Sequence, residues 1–193
     1  WLHSVPLTKS WISEYEKIYV PKPVIPVIKH KNIHPNLMQQ EALASLTALR
    51  NNHKNKALLI SATGTGKTYL SAFDVKNIDP KRILFVVHRE NIARDAMNTF
   101  KNIIKNHTFG IFTGSDKDIN SNYIFSTVQT IHKKEYREMF KPDTFDYIII
   151  DEVHRAGAES YQELMNYFIP SFLLGMSATP ERSDNFDIYK MFD

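Results

Sequence analysis

A short glycine-containing stretch with a lysine and a threonine is the clearest sign of chemistry in this sequence. Residues 61–70 read SATGTGKTYL, follow the apolar run 57–60 and lead into a pattern typical of a helix. The chain has only 6 glycines, and two of them, Gly64 and Gly66, stand here. Glycine permits backbone conformations closed to other residues, and the amides of a helix N-terminus attract anions. The stretch therefore predicts a cradle for the phosphates of a nucleoside triphosphate.

Two side chains complete the predicted cradle. Lys67 can reach the β- and γ-phosphates, and the Thr68 hydroxyl can ligate Mg²⁺. The general pattern G-x-x-x-x-G-K-[ST] fails at one position, because Ser61 stands where the pattern has its first glycine. A glycine-rich turn with an incidental lysine is the simpler alternative, and the position between an apolar strand and a helix argues against it.

Two adjacent carboxylates end another apolar run. Residues 145–154 read FDYIIIDEVH, so Asp151 and Glu152 directly follow a strand-like segment. In a parallel sheet the carboxyl ends of the strands share one edge, which would bring these acids to the nucleotide that Lys67 holds. We expect Asp151 to hold Mg²⁺, usually through water, and Glu152 to orient and deprotonate the attacking water. The alternative is that the two acids simply end a strand in solvent. The predicted phosphate cradle argues against this alternative.

The elements that must position these residues alternate between helices and short apolar strands. A helical pattern spans residues 36–50, and the polar stretch 113–122 predicts a surface loop. Nearly continuous apolar runs suit strands buried on both faces of a parallel sheet, with crossover helices between them. Those runs are KALLIS, RILFVVH, YIFST, FDYIIID and FLLGMSAT. The predicted fold is α/β and doubly wound, with a mostly parallel sheet and helices on both faces.

Composition limits the class of protein without naming its function. The chain has 193 residues, of which 42% are hydrophobic, enough for one compact domain. Its net charge of +3 and pI near 8.9 allow a polyanionic partner without indicating one. The absence of cysteine excludes disulfides and cysteine nucleophiles, and it fits the reducing cytoplasm, where we expect the protein. No apolar run is long enough for a membrane span and no leader pattern stands out, so we expect neither a membrane nor a secretory signal.

Residues 1–32 differ in character from the rest of the chain. The segment KSWISEYEKIYV predicts an amphipathic helix, and the prolines after it predict an extended, stiff connector. Because the chain starts with Trp1 rather than Met, we expect the connector to be a linker from an upstream domain; an N-terminal arm lying across its own domain is the alternative. His30 and His34 have the spacing of a helical metal pair, but the nearby prolines argue against a helix and against zinc.

Three ordered motifs resemble those of a known family. SATGTGKT, DEVH and SAT at 177–179 are similar to motifs I, II and III of superfamily 2 helicases, in which a serine at position 61 is common. The flanks, among them FVVHRENIARDA and GMSATPERSDNFDIY, are closest to the branch shared with type III restriction-enzyme helicase subunits. Some bacterial members of that branch carry a phospholipase-D-like domain upstream. The resemblance covers residues 33–193 and implies a RecA-like P-loop NTPase lobe, the first of two such lobes in a helicase.

The resemblance implies which residues bind and hydrolyse ATP. Gln39 corresponds to the Q-motif glutamine that recognises adenine, whereas its neighbour Gln40 does not. The implied catalytic residues are Lys67, Asp151 and Glu152, and the implied Mg²⁺ ligands are Thr68 and Asp151. The implied nucleotide-binding residues are Gln39, Thr63, Gly64, Thr65, Gly66, Lys67 and Thr68.

The resemblance also implies a nucleic-acid partner, with DNA favoured over RNA. Segments similar to motifs Ia, Ib and Ic would contact its backbone, and motif III would couple that contact to the nucleotide. The implied nucleic-acid residues are His88, Arg89, Asn91, Thr113, Gly114, Thr127 and Gln129. The implied coupling residues are His154, Ser177 and Thr179.

The chain ends soon after the third motif, which leaves no room for a second RecA-like lobe. In the family that lobe supplies the arginine finger, and we expect Arg182 to belong to the surface of this lobe instead. A missing finger lowers turnover about a thousandfold or more, so we expect the isolated chain to bind Mg-ATP weakly and to hydrolyse it barely.

Three functions remain compatible with these residues. The first is an ATP-driven helicase or translocase that moves on nucleic acid. The second is an ATP-gated clamp, or a restriction-type translocase coupled to a nuclease, that works without strand separation. The third is a nucleotide-binding lobe unrelated to nucleic acid, such as a small-molecule kinase, which DEVH and SAT together disfavour.

Overall fold

A computed structural model describes residues 33–153, 159–178 and 192 of the chain. The predicted N-terminal helix and linker, residues 1–32, lie outside the described residues. So do the predicted coupling residues His154 and Thr179, and Arg182.

A six-stranded sheet organises the described residues, and its strands stand in the order β1-β6-β5-β2-β4-β3. Every pairing in this sheet is parallel. The strands are β1 Lys56–Ile60, β2 Ile83–Val87, β3 Phe109–Phe112, β4 Tyr123–Thr127, β5 Tyr147–Ile150 and β6 Phe172–Ser177. Parallel pairing requires crossovers, so all carboxyl ends meet at one edge of the sheet.

Residue type explains which strands lie inside. The inner strands β2, β4, β5 and β6 are buried at every residue, as their continuous apolar runs predict. The edge strand β1 is exposed at both Lys56 and Ile60.

Helices cover both faces of the sheet. They are α1 Leu37–Asn51, α2 Lys67–Ile78, α3 Glu90–Ile103, α4 Val128–Ile131, α5 Lys134–Arg137 and α6 Glu159–Tyr167. One core cluster joins α1, α2 and α3 to the face that carries Phe85 and Ile149. A second cluster joins α4 and α6 to the opposite face, which carries Leu84 and Ile148. Neighbouring strand residues thus serve two separate cores, because side chains alternate between the faces of a strand.

A buried ionic cluster fastens α1 and α2 to the sheet. Asp74, 1% exposed, accepts a hydrogen bond from Arg50 Nη1 at 3.0 Å and another from the Tyr147 hydroxyl at 2.7 Å. Burial, together with the negative charge of Asp74, raises the pKa of Tyr147 well above its ordinary value. The hydroxyl therefore stays protonated and keeps donating to the carboxylate.

The fold prediction is confirmed: the sheet is α/β with helices on both faces, and each of the five predicted runs contains a strand. The edge strand β3 was not predicted, because it has only 4 residues and Gly110 interrupts its pattern. Residues 113–122 form the connection between β3 and β4, as predicted. Within the described parts of the chain, no helix has both the length and the apolar character that a membrane crossing requires.

Candidate nucleotide site and nucleic-acid edge

The predicted phosphate cradle is the turn between β1 and α2. Gly64 and Gly66 have φ angles of 80° and 84°, in the left-handed region that favours glycine. Gly66 is the N-cap of α2 and supplies no capping side chain, and the first turn of the helix contains no acidic residue. The amides at this helix start are therefore well suited to an anion.

Side-chain hydrogen bonds hold the turn in shape. The hydroxyls of Ser61 and Thr65 lie 2.7 Å apart, and the Thr65 hydroxyl donates to the carbonyl of Ala62 at 2.8 Å. Serine at position 61, where the general pattern has glycine, thus closes the turn on itself. A glycine there would offer no such bond.

The Lys67 ammonium lies inside the same turn. Its Nζ donates to the carbonyl oxygens of Ser61 at 2.8 Å and Ala62 at 3.0 Å. The side chain is half-buried, so the charge is fixed near the turn and remains accessible. These two carbonyls hold the ammonium where phosphate oxygens could replace them.

Gln39 connects α1 to the cradle. It is 6% exposed, its Nε2 donates to the carbonyl of Gly66 at 3.2 Å, and its Oε1 accepts from the backbone N–H of Asn36 at 2.9 Å. The second of these bonds belongs to the capping box that starts α1. Gln40, in contrast, is exposed, and among the described residues its side chain bonds only the carbonyl of Pro35.

The two predicted carboxylates follow β5. Asp151 and Glu152 are partly buried, and the backbone N–H of Glu152 donates to Asp151 Oδ1 at 3.0 Å. Glu152 has a φ of 54°, a left-handed conformation that is unfavourable for a residue with a side chain. Strained backbone of this kind clusters at functional sites, where it fixes the direction of a side chain.

One cleft of about 350 Å³ brings the cradle and the carboxylates together. β6 separates β1 from β5 in the sheet, so the two motifs face each other across the end of one strand. The lining residues are Thr63, Gly64, Gly66, Lys67, Thr68, Tyr69, Thr99, Asp151, Glu152 and Ala178. Three of them, Tyr69, Thr99 and Ala178, were not predicted. Tyr69 follows the glycine-containing motif directly, but Thr99 is on α3 and has no sequence signal that marks it.

The end of β6 contacts the cradle directly. Ser177 is buried, and its carbonyl accepts a hydrogen bond from the backbone N–H of Ser61 at 3.0 Å. The third motif is therefore joined to the first through the backbone.

Predicted nucleic-acid residues gather where β2, β3 and β4 end. His88 Nδ1 lies 2.8 Å from Gln129 Nε2, which joins the end of β2 to α4. Arg89 and Asn91 are exposed at the start of α3. These four residues share one edge of the sheet.

Two of the predicted contacts are buried. The side chain of Thr113 is 0% exposed and lies 3.3 Å from the Ser115 hydroxyl, and Thr127 is 7% exposed and lies 3.0 Å from the Thr130 hydroxyl. At these two positions the hydroxyls contact neighbouring hydroxyls of the protein, so these side chains are not exposed to an external partner. Gly114 is exposed.

The residues of the cleft suit Mg-ATP. Carboxylate and hydroxyl oxygens are the ligands that Mg²⁺ takes, and it usually binds through one or two of them together with phosphate oxygens. Asp151 and the Thr68 hydroxyl supply such oxygens beside Lys67. Within residues 33–153, 159–178 and 192, no group of three His, Cys, Asp or Glu side chains could hold a metal by itself.

An all-parallel sheet with a phosphate turn after one strand and paired carboxylates after an inner strand defines a RecA-like nucleotide-binding lobe. The chain belongs to the family described as "Type III restriction enzyme, res subunit", whose model matches residues 32–182.

Two relatives are similar to this chain in sequence, and one solved structure is similar to it in fold. Over 169 residues the chain is 32% identical to the type I restriction enzyme EcoAI endonuclease subunit of Escherichia coli, covering 77% of this chain and 20% of that one. It is 30% identical over 164 residues to the provisionally named ATP-dependent helicase IRC3 of Saccharomyces cerevisiae, covering 76% and 23%. A nuclease-deletion mutant of the type ISP restriction-modification enzyme LlaGI, solved with a DNA substrate mimic, has a TM-score of 0.62 at 20% identity, covering 79% and 19%.

These likenesses identify the chain as a first RecA-like lobe of the superfamily 2 helicase class, near its restriction-enzyme branch. The Saccharomyces cerevisiae relative carries the name of an ATP-dependent helicase. The chain spans about a fifth of the length of the two curated relatives described above.

Proposed function

We propose that this chain is the lobe with which a longer protein binds ATP and hydrolyses it to move along or unwind DNA. The observation that carries the proposal is the cleft in which Lys67 and Thr68 share one lining with Asp151 and Glu152. Hydrolysis of a phosphoanhydride needs a phosphate clamp, a metal site and a water-orienting base, and these four residues supply all three.

Each residue of the cleft has a defined role in this proposal. Lys67 would exchange its carbonyl acceptors on Ser61 and Ala62 for phosphate oxygens, and the Thr68 hydroxyl and Asp151 would hold Mg²⁺. When bound, Mg²⁺ neutralises charge that develops on the phosphates. The Glu152 carboxylate accepts a hydrogen bond from the attacking water, orients it and takes up its proton.

The base of the nucleotide is assigned to Gln39. Its amide already faces the cradle through the carbonyl of Gly66, at 3.2 Å. A glutamine amide carries an NH2 donor group and a carbonyl acceptor side by side, which matches the N6 and N7 edge of adenine. To bind adenine, the amide would give up the bond to Gly66 O or use its second N–H group. ATP is therefore the nucleotide that we propose.

DNA is the proposed track. The restriction-enzyme names of the family and of the Escherichia coli relative, and the DNA substrate mimic bound to LlaGI, support DNA over RNA. The proposed contacts are His88, Arg89, Asn91 and Gln129 by side chain and Gly114 by backbone, while the buried Thr113 and Thr127 support the same edge from inside. His154, Ser177 and Thr179 would couple these contacts to the nucleotide.

The organisation of the whole protein is also part of the proposal. In this proposal residues 33–193 are the ATP-binding lobe, and residues 1–32 are the segment that connects it to an upstream domain. A second RecA-like lobe supplies the arginine finger, so the isolated chain hydrolyses ATP barely. The cytoplasmic location rests on the cysteine-free composition.

A triplex-displacement assay tests movement by the full-length protein. A translocating motor strips a third strand from duplex DNA in the presence of ATP, and the Glu152→Gln variant should not. Lys76, in the last turn of α2, provides the matched control, because Lys76→Gln lies outside the cleft and should leave displacement unchanged. DNA-stimulated hydrolysis without displacement would replace the motor by an ATP-gated clamp.

A further inference from the structure

A four-residue ionic cluster lies beside the proposed nucleic-acid contacts. Arg94, in the second turn of α3, donates from Nη2 to Glu90 Oε1 at 2.8 Å and to Asp116 Oδ2 at 2.5 Å. The Ser115 hydroxyl donates to the same Glu90 oxygen at 2.8 Å. The cluster thus joins the start of α3 to the turn after β3, two segments that are 22 residues apart at Arg94 and Asp116.

The turn after β3 is closed by its own backbone. Thr113 N–H donates to the carbonyl of Asp116 at 2.7 Å. The Lys117 ammonium donates a hydrogen bond to the carbonyl of Thr113 and another to the carbonyl of Gly114 at 3.3 Å. The carbonyls of the turn are therefore drawn toward Lys117, away from any anion at its tip.

The amides of this turn remain available to an anion. In the part of the chain that the structure describes, the backbone N–H groups of Gly114, Ser115 and Asp116 have no protein acceptor. All three residues are exposed. Successive amides in a turn can bind a phosphate without any base contact, as a sequence-independent grip requires.

Two carboxylates stand beside these amides. Hydrogen bonds from Arg94 and then Ser115 hold the pKa of Glu90 below its ordinary value, so its charge persists. Glu90 and Asp116 in turn raise the pKa of Arg94. Without Arg94, two uncompensated negative charges would face the phosphates of a nucleic acid.

We propose that Arg94 is a positioning residue for the DNA backbone, because it bridges and neutralises Glu90 and Asp116 beside the amides of Gly114–Asp116. It acts through the two carboxylates and the turn, while the amides contact the phosphate. The inference rests on the proposed function, since it assumes a polynucleotide at this edge.

The test measures the Kd of the full-length protein for duplex DNA by fluorescence anisotropy over a range of NaCl concentrations. Arg94→Gln should weaken binding about tenfold, because Glu90 and Asp116 lose their shared counter-charge and then repel the phosphates. Adding Glu90→Gln and Asp116→Asn to Arg94→Gln should restore the Kd to within about twofold of wild type, since no unpaired carboxylate remains. The salt dependence of the triple variant should equal that of wild type.

Other outcomes overturn the assignment. If the triple variant stays as weak as Arg94→Gln and the salt slope falls by about 0.9, Arg94 itself contacts a phosphate. An unchanged Kd for Arg94→Gln would show that Arg94 has no role in DNA binding. A lower ATP affinity or a lower melting temperature of Arg94→Gln would show that Arg94 only stabilises the fold. Lys76→Gln, which removes one positive charge on α2, is the control and should stay within about twofold.

The wild-type protein separates the two proposals. If the wild type binds DNA but the Arg94 variants do not show the predicted changes in Kd, the positioning role of Arg94 is wrong and the proposed function is unaffected. If the wild type binds no polynucleotide, both fall together.

Discussion

The side-chain amide of Gln39 donates to the carbonyl oxygen of Gly66 at 3.2 Å, so the residue assigned to adenine is attached to the phosphate turn before any nucleotide contact is considered. The same side chain closes the capping box of α1 through the N–H of Asn36. One glutamine thus serves helix initiation, the shape of the turn and, in our proposal, base recognition.

Gln39→Ala should therefore lower both stability and ATP affinity. The loss of one capping bond and one buried hydrogen bond should cost about 1–2 kcal/mol in the free energy of unfolding. The Kd for ATP should rise about tenfold, as for a lost hydrogen bond to the base. Urea unfolding and titration with a fluorescent ATP analogue check the two effects. The neighbouring Gln40→Ala is the matched control and should change neither by more than about 0.5 kcal/mol; equal effects at both positions would contradict the assignment.

Three glycine-to-alanine variants should change the free energy of unfolding by different amounts, with the largest loss at Gly66, a smaller loss at Gly64 and none at Gly114. Gly66→Ala forces alanine to a φ of 84° and puts a Cβ 2.8 Å from Gln39 Nε2, which must swing away from the turn. Gly64→Ala has the same strain at 80° but open space around it. We expect a loss of about 2 kcal/mol or more for Gly66 and about 1 kcal/mol for Gly64 in urea unfolding. Gly114→Ala, which meets no atom within 4 Å, should be neutral or slightly stabilising. A reversed order would mean that the turn is shaped differently.

Lys67→Ala should weaken ATP binding while leaving the stability of the fold nearly unchanged. The ammonium bonds only two carbonyls of its own turn in the described residues, so unfolding should change by less than about 1 kcal/mol. ATP affinity should fall at least about tenfold, because the phosphates lose a charge-assisted donor. Isothermal titration calorimetry measures the affinity, with Lys76→Ala as the control. ATP affinity equal to wild type would remove the phosphate role of Lys67.

Asp74→Ala should be the most destabilising of these substitutions. It leaves the Arg50 guanidinium and the Tyr147 hydroxyl without their shared acceptor in a buried site. Breaking a buried pair from one side costs about 3 kcal/mol or more. Asp95→Ala, at an exposed position on α3, removes the same side chain type and should cost under about 0.5 kcal/mol in the same urea titration. Similar values for the two variants would show that the cluster contributes little.

The sequence predicts the inner part of this fold well, because buried parallel strands are nearly continuous apolar runs. Segments such as RILFVVH and FDYIIID can be recognised as buried strands from their own residues alone. β3 carries too little of it: its 4 residues include Gly110, and it is recognised only by pairing with β4. The strand order follows from crossovers in space, which no local pattern encodes.

For the candidate site, the sequence predicts residues that belong to one continuous motif. It does not predict residues that come together only in the folded structure. Gly64, Lys67 and the two carboxylates are recognisable from spacing. Thr99 lines the cleft only because α3 packs beside α2. Thr113 has the polar character of a surface contact, yet the turn after β3 buries its hydroxyl. The Glu90–Arg94 pair is visible as a helical i, i+4 spacing, whereas its extension to Asp116 is not.

Steady-state ATP hydrolysis by the full-length protein tests the central claim most directly. The rates should be compared without polynucleotide, with single-stranded DNA, with duplex DNA and with RNA. We predict strong stimulation by DNA, lowered at least about a hundredfold in Glu152→Gln, because that variant loses the base that orients the water. A rate that no polynucleotide changes would contradict the motor assignment and leave only a nucleotide-binding lobe.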